Sequence, residues 1–464
     1  MKHALAALCL SLTLACAAAS AATAPPASVP GFTYVRTVGA ISEYRLDSNG
    51  LTVLVMPDRS APVVTFMVTY LVGSRNEVTG TTGATHLLEH LMFKGSPAYN
   101  DAKGNSVKQY LETVGGTYNA TTWLDRTNYY AVVPRDAFEG YLAIEADRMR
   151  NLWLHEADRE KEMTVVRNEF ERGENDPQEA LDKVIWSTAF MAHPYHHSTI
   201  GWRSDIENVP IEKLKAFYDT FYWPNNATVT VIGDIEPAAA LELVKKYYAA
   251  FPRSPQSIPV MYTTEPEQQG PRRAIVNRAG EIGMVGISWK SPAGRDANYA
   301  ALDVLATILG NGKTSRFYKA LTDRNLALQV SASTGFYHDP SLFQVYAMVA
   351  PGVEHAEVER VINEEIERVR REGVTDAELA IALAKYESST AFARDGAFSI
   401  ASVLNETIAA GDWTLYYSLD EATRKVTAAD VKRVANAYLV PGQSTTGWFV
   451  PTQPEAAPAS PAAQ

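Results

Sequence analysis

The stretch Thr85-His-Leu-Leu-Glu-His-Leu-Met-Phe-Lys-Gly95 decides how this chain is read. Leu87, Leu88, Leu91 and Met92 recur at helical spacing and Gly95 supplies a stop, so a helix is predicted from about Ala84 to Phe93. His86, Glu89 and His90 then stand at i, i+3 and i+4, on one face of that helix. The bland reading is a satisfied polar patch, but burying three unpaired polar groups among leucines would be costly. Two imidazoles one turn apart can share a tetrahedral Zn²⁺, and the nearby carboxylate can take a proton from a water at the ion. The spacing is the reverse of the commoner H-E-x-x-H.

Working outward, Leu302-Asp-Val-Leu-Ala-Thr-Ile-Leu-Gly-Asn-Gly312 can be laid over this stretch without a gap. It carries Asp303, Ala306 and Thr307 where the first has His86, Glu89 and His90, so only the first copy can hold metal this way. A second echo follows in the same order. Lys215 to Pro224 leads into the strand-like Ala227 to Gly233, and Lys432 to Pro441 leads into Ser444 to Val450. Two diverged copies of one unit is the economical reading. Strand-like runs at Thr52–Met56 and Val63–Tyr70 and helical patterns over 135–152, 156–171 and 236–250 make each unit α+β. The expectation is two homologous domains, each a mostly antiparallel sheet packed with helices. Residues 34–251 form the metal-binding domain and 274–450 the second, without a metal site. The proline-rich residues 252–273 link them, residues 22–33 are loose, and 451–464 are a disordered tail.

The 464 residues are 46% hydrophobic and 20% charged, an ordinary globular balance. With 42 Lys plus Arg against 53 Asp plus Glu, the formal charge is −11, which argues against a general nucleic-acid binder. Met1-Lys2-His3 is followed by an apolar run from Ala4 to Ala19 and by Ala19-Ser20-Ala21, the pattern of a signal peptide over residues 1–21. The run is too short to span a bilayer, and no later stretch reads as an integral membrane segment. The protein is therefore expected to be exported and periplasmic; lipid attachment at Cys16 is the minor alternative. Both cysteines, Cys9 and Cys16, lie in the leader, so the mature chain has none.

A third metal ligand must come from another element. The Glu-rich helix 156–171 offers Glu162 and Glu169, seven apart and so on one face; Glu160 and Glu171 lie off that face. Residue spacing alone does not choose among them.

With these residues assembled, the chain resembles the pitrilysin family of zinc peptidases, and most closely its half-length bacterial members, which are similar to mitochondrial processing peptidase. The resemblance covers nearly all of the mature chain. It rests on the inverted motif, the repeated halves, Asn168-Glu169-Phe170 with Glu162 before it, Gly115-Gly116-Thr117-Tyr118-Asn119-Ala120-Thr121-Thr122, and His193-Pro194-Tyr195 followed by Gly201. It implies one Zn²⁺ per chain on His86, His90 and Glu169, with Glu89 as general base and Glu162 supporting the site. It also implies an edge strand on which Asn119 and Ala120 bind the substrate backbone, and peptides or unfolded polypeptides as substrates. The family's Arg–Tyr pair, which grips substrate and stabilises the oxyanion, falls here on Leu321 or Thr322 and on Leu328 or Gln329; Arg316 and Arg324 are off register. That departure implies a heterodimer in which a homologous subunit supplies the pair, with a homodimer less favoured. A noncatalytic structural or binding subunit is the alternative, and the intact motif speaks against it.

Overall fold

A computed structural model describes residues 27–452, so the leader and almost all of the tail lie outside the described residues. Seven strands form the first sheet: β1 (Phe32–Val38), β2 (Ile41–Leu46), β3 (Thr52–Pro57), β4 (Val63–Tyr70), β5 (Thr117–Thr122), β6 (Thr127–Pro134) and β7 (Ala227–Gly233). Five form the second: β8 (Arg272–Ala279), β9 (Met284–Ser291), β10 (Ala327–Thr334), β11 (Ser341–Val349) and β12 (Ser444–Thr452). The first-half helices are α1 (Ala84–Leu91), α2 (Val107–Val114), α3 (Phe138–Asn151), α4 (Glu156–Asn175), α5 (Pro177–Ala189), α6 (Arg203–Asn208), α7 (Ile211–Phe221) and α8 (Pro237–Tyr248). The second half adds α9 (Tyr299–Gly310), α10 (His355–Glu372), α11 (Asp376–Ala393), α12 (Ala397–Ala409), α13 (Leu415–Arg424) and α14 (Ala428–Tyr438).

The repeat is visible in the strand order. The first sheet runs β1-β2-β3-β7-β4-β6-β5 and the second β8-β12-β9-β11-β10. Without the β1–β2 hairpin the two orders correspond strand for strand. Each sheet is mixed, with one parallel pair (β3 with β7, β8 with β12) among antiparallel ones. The molecule is therefore two α+β domains. The first strand begins at Phe32, inside the stretch whose composition reads as loose, because Phe32 pairs with Leu46 and its ring meets Tyr44 edge-on at 6.4 Å.

Each domain lends a helix to the other. On one face the first sheet packs against its own helices, with Phe66 and Tyr129 buried in one cluster with Leu87, Leu88 and Leu91 of α1 and Tyr141 of α3. Its other face presents Ile41, Leu54, Met67 and Ile232, and these are covered by Ile400, Leu404 and Ile408 of α12, from the second half. Reciprocally, Leu181 and Ile185 of α5 pack on Met284, Leu342 and Phe449 of the second sheet. Two glycines permit that close approach, since a Cβ at Gly286 or Gly447 would stand 2.5 or 2.7 Å from Ile185. Each fully buried aliphatic side chain in these layers contributes roughly 1.5–3 kcal/mol, so the exchange ties the halves together.

Candidate active site

Helix α1 starts where the backbone permits almost no side chain. Gly83 precedes it at φ +84°, and a Cβ on Gly201 (φ +80°) would stand 2.4 Å from the Gly83 nitrogen. The buried Glu77 accepts hydrogen bonds from the backbone N–H groups of Gly83 (2.8 Å) and Thr85 (2.7 Å), satisfying donors that the first helical turn leaves open. Leu87, Leu88 and Leu91 are fully buried, so α1 is fixed in rotation and His86, Glu89 and His90 turn toward α4 and β5.

Helix α4 is twenty residues long but buries only Val166 and Phe170. That narrow stripe lies against α1, and the seven-residue spacing brings both Glu162 and Glu169 to the same side. Glu169 Oε2 is 3.7 Å from His86 Nε2 and 3.6 Å from His90 Nε2, and the imidazoles meet at 80° with centroids 4.8 Å apart. One donor atom from each of the three side chains lies within 4.8 Å of the others. Donors about 2.0–2.2 Å from a tetrahedral ion stand roughly 3.3–3.6 Å apart, so the trio fits a small divalent cation. Glu162 stands behind the trio: its Oε2 is 3.1 Å from His90 Nδ1, and its other oxygen accepts from Lys94 Nζ. Glu160 and Glu171 do not join the cluster.

Electrostatics match this arrangement. Burial, with the adjacent His90, lowers His86 to about 4, so the ring is neutral and available as a donor at ordinary pH. Partial burial works to raise Glu162, but Lys94 and His90 outweigh it and hold the carboxyl below its usual range. Burial pushes the Glu89 carboxyl up, against a 2.5 Å hydrogen bond donated by the Thr122 hydroxyl to Oε2.

Thr122 ends β5, the strand at the open edge of the first sheet. Asn119 and Ala120 lie on this strand, paired to Tyr130 and Tyr129 of β6; Asn119 is exposed and Ala120 buried. The motif His193-Pro194-Tyr195 lies elsewhere and joins the two halves. Tyr195 Oη donates to Asp125 at 2.7 Å, and His193 Nε2 is 3.1 Å from Asp339. Arg316 is committed to an ion pair with Glu378 at 2.6 Å. Three residues around the site escaped sequence reasoning. Lys94 follows His90 at helical spacing and could have been suspected, whereas Thr122 and Glu77 reach the site only through tertiary folding.

Comparison with known proteins agrees with this geometry. Residues 52–202 match the Insulinase family (Peptidase family M16), and residues 208–386 match the Peptidase M16 inactive domain. The chain is 32% identical over 416 residues to the zinc protease PqqE of Helicobacter pylori, covering 87% of this chain and 91% of that one. It is 26% identical over 402 residues to a probable mitochondrial-processing peptidase subunit beta of Arabidopsis thaliana, covering 84% of this chain and 75% of that one. The crystal structure of a protease from Helicobacter pylori superposes with a TM-score of 0.83 at 30% identity, over 91% of this chain and all of that one. The chain belongs to peptidase family M16, the pitrilysin-type zinc metallopeptidases. Its N-terminal domain bears the His/His/Glu cluster, and the inactive-domain match runs from the end of that domain through β8–β11, α9, α10 and part of α11 of the second.

Proposed function

We propose that the protein is an endopeptidase that hydrolyses peptides or unfolded polypeptides, using one zinc ion held by His86, His90 and Glu169. The observation carrying this reading is the convergence of those three donors beside both a buried carboxylate, Glu89, and an unpaired sheet edge. When bound, zinc supplies Lewis acidity, which polarises the scissile carbonyl and acidifies water. Glu89 takes the proton of the attacking water and returns it to the departing amine. Glu162 fixes the ring orientation and tautomer of His90. The backbone of Asn119 and Ala120 pairs with an extended substrate, as an added strand on β5.

The Arg–Tyr pair of the family is missing from the chain at Leu321/Thr322 and Leu328/Gln329, and the adjacent Arg316 is engaged by Glu378. A homologous partner subunit bearing that pair therefore supplies the oxyanion donors needed for full activity, each worth about 3 kcal/mol. The leader places the complex outside the cytoplasm, in the periplasm. Among the described residues no helix is long and apolar enough to cross a membrane.

The test is removal and return of the metal. Hydrolysis of a quenched-fluorescent peptide should vanish with a chelator and return with stoichiometric zinc, and a homologous chain should copurify from the source cell. Chelator-resistant hydrolysis would contradict the metal reading, and full activity of a lone chain would contradict the partner.

A further inference from the structure

Strand β5 alternates. Tyr118, Ala120 and Thr122 turn toward α1, where Tyr118 meets Phe93 at 5.8 Å and Thr122 bonds to Glu89. Thr117, Asn119 and Thr121 are exposed on the opposite face. Beside that face the neighbouring strand presents Tyr130, directly opposite Asn119 in register, at the rim of the layer between the first sheet and α12. Against Tyr130 lies Phe398, from the first turn of α12, with ring centroids 4.7 Å apart at an angle of 43°. Phe398 remains 39% exposed, and Trp123, just past the end of β5, is 44% exposed. An unpaired strand edge thus runs along a part-exposed aromatic surface, one ring of which the second domain contributes. Nearby, Arg126 holds the Thr121 carbonyl at 3.0 Å and is itself anchored by Glu406 of α12 at 2.6 Å, so α12 is fixed to this edge at two points.

Resting on the peptidase reading, we propose that Tyr130 and Phe398 form a side-chain subsite selecting substrates with an aromatic or large aliphatic residue on the α12 side of the bound strand. A peptide added outside β5 alternates its side chains as β5 does, so every second one faces this surface and the others face α1. An apolar side chain there removes both its own surface and the exposed part of Phe398 from water, whereas a serine gains nothing. The second domain, which has no metal cluster among the described residues, in this way sets specificity for the first.

The test uses zinc-loaded full-length chain carrying Glu89→Gln, which binds without turnover. Affinity is read by fluorescence anisotropy for a labelled Ala/Ser decapeptide with one central phenylalanine, and for the same peptide with serine in its place. The phenylalanine peptide should bind about tenfold more tightly, the ratio should fall to about twofold or less with Phe398→Ala added, and Phe398→Leu should keep most of it. An unchanged ratio in Phe398→Ala, equal weakening of both peptides, or no binding of the phenylalanine peptide would overturn the subsite. Hydrolysis by the wild-type chain is followed in parallel. Phe398-dependent binding with no hydrolysis by the zinc-loaded wild-type chain, either alone or with its copurified partner, would sink the peptidase reading and leave the subsite standing, while hydrolysis with an unchanged ratio would sink the subsite alone.

Discussion

Glu162 stands 3.1 Å from His90 Nδ1, on the edge of the ring opposite the Nε2 that faces Glu169. One imidazole is thus held between two carboxylates of a single helix, seven residues apart. The inner one completes the donor trio; the outer one fixes the ring and is itself held by Lys94. Replacing Glu162 by Gln should weaken zinc binding by about 10–100-fold, measured by competition with a chromophoric chelator, with the fold retained. Unchanged affinity would mean that Glu162 only neutralises Lys94.

Thr122 is the sole hydroxyl bonded to the Glu89 carboxylate among the described residues, at 2.5 Å. Thr122→Val should lower kcat about tenfold with little change in KM or zinc content, because it frees the orientation of the base while sparing the metal. Thr122→Ser should restore most of the rate. A matched fall for Ser and Val would point to packing of the β5 end.

The entry to α1 depends on backbone-to-backbone contact. Gly201→Ala places a methyl 2.4 Å from the Gly83 nitrogen at φ +80°, and should cost about 2–4 kcal/mol in urea unfolding and reduce zinc occupancy. Gly312→Ala is the control: φ is +75°, but the nearest atom is Lys385 Nζ, the end of a long side chain, at 3.4 Å, so the cost should be about 1 kcal/mol.

Two buried histidines should make the metal-free fold sensitive to acid. Burial lowers His86 and His197 to about 4, below the ordinary 6.5 of an unfolded chain. Between those values the unfolded chain protonates these two rings and the folded chain does not, so their contribution to stability rises with pH from about 4 to 6.5 and is lost on acidification, while buried Glu77, pushed up to about 8, works in the opposite direction. His197→Gln should reduce the stability lost between pH 7 and pH 5 by up to about 2 kcal/mol, read from urea unfolding of chelated protein. Identical losses in both proteins would show that His197 titrates normally.

The local parts of this molecule were legible because they are written in short spacings. Helix α1 and the strand Ala227–Gly233 follow from glycines and periodicity. Glu162 and Glu169 could be narrowed to one helix face; choosing between them needed the family resemblance, and in the structure it is Glu169 that faces both imidazoles. The exchange of α5 and α12 was not legible. Ile185 and Ile400 look like any amphipathic core residues, and nothing in their spacing says that the sheet they cover belongs to the other half. The same holds for Thr122 and Phe398, whose surroundings come from strands and helices distant in sequence.

Everything proposed for the site depends on Glu89 working beside one zinc held by His86, His90 and Glu169. The most direct measurement pairs metal analysis with hydrolysis of a quenched-fluorescent peptide, for the purified wild-type chain and for Glu89→Gln. One zinc per chain is expected in both proteins, with slow hydrolysis by the wild type alone and a rate about 10²–10⁴-fold lower in the variant. A folded wild-type chain that takes up no zinc, or a Glu89→Gln chain as active as the wild type, would contradict this arrangement.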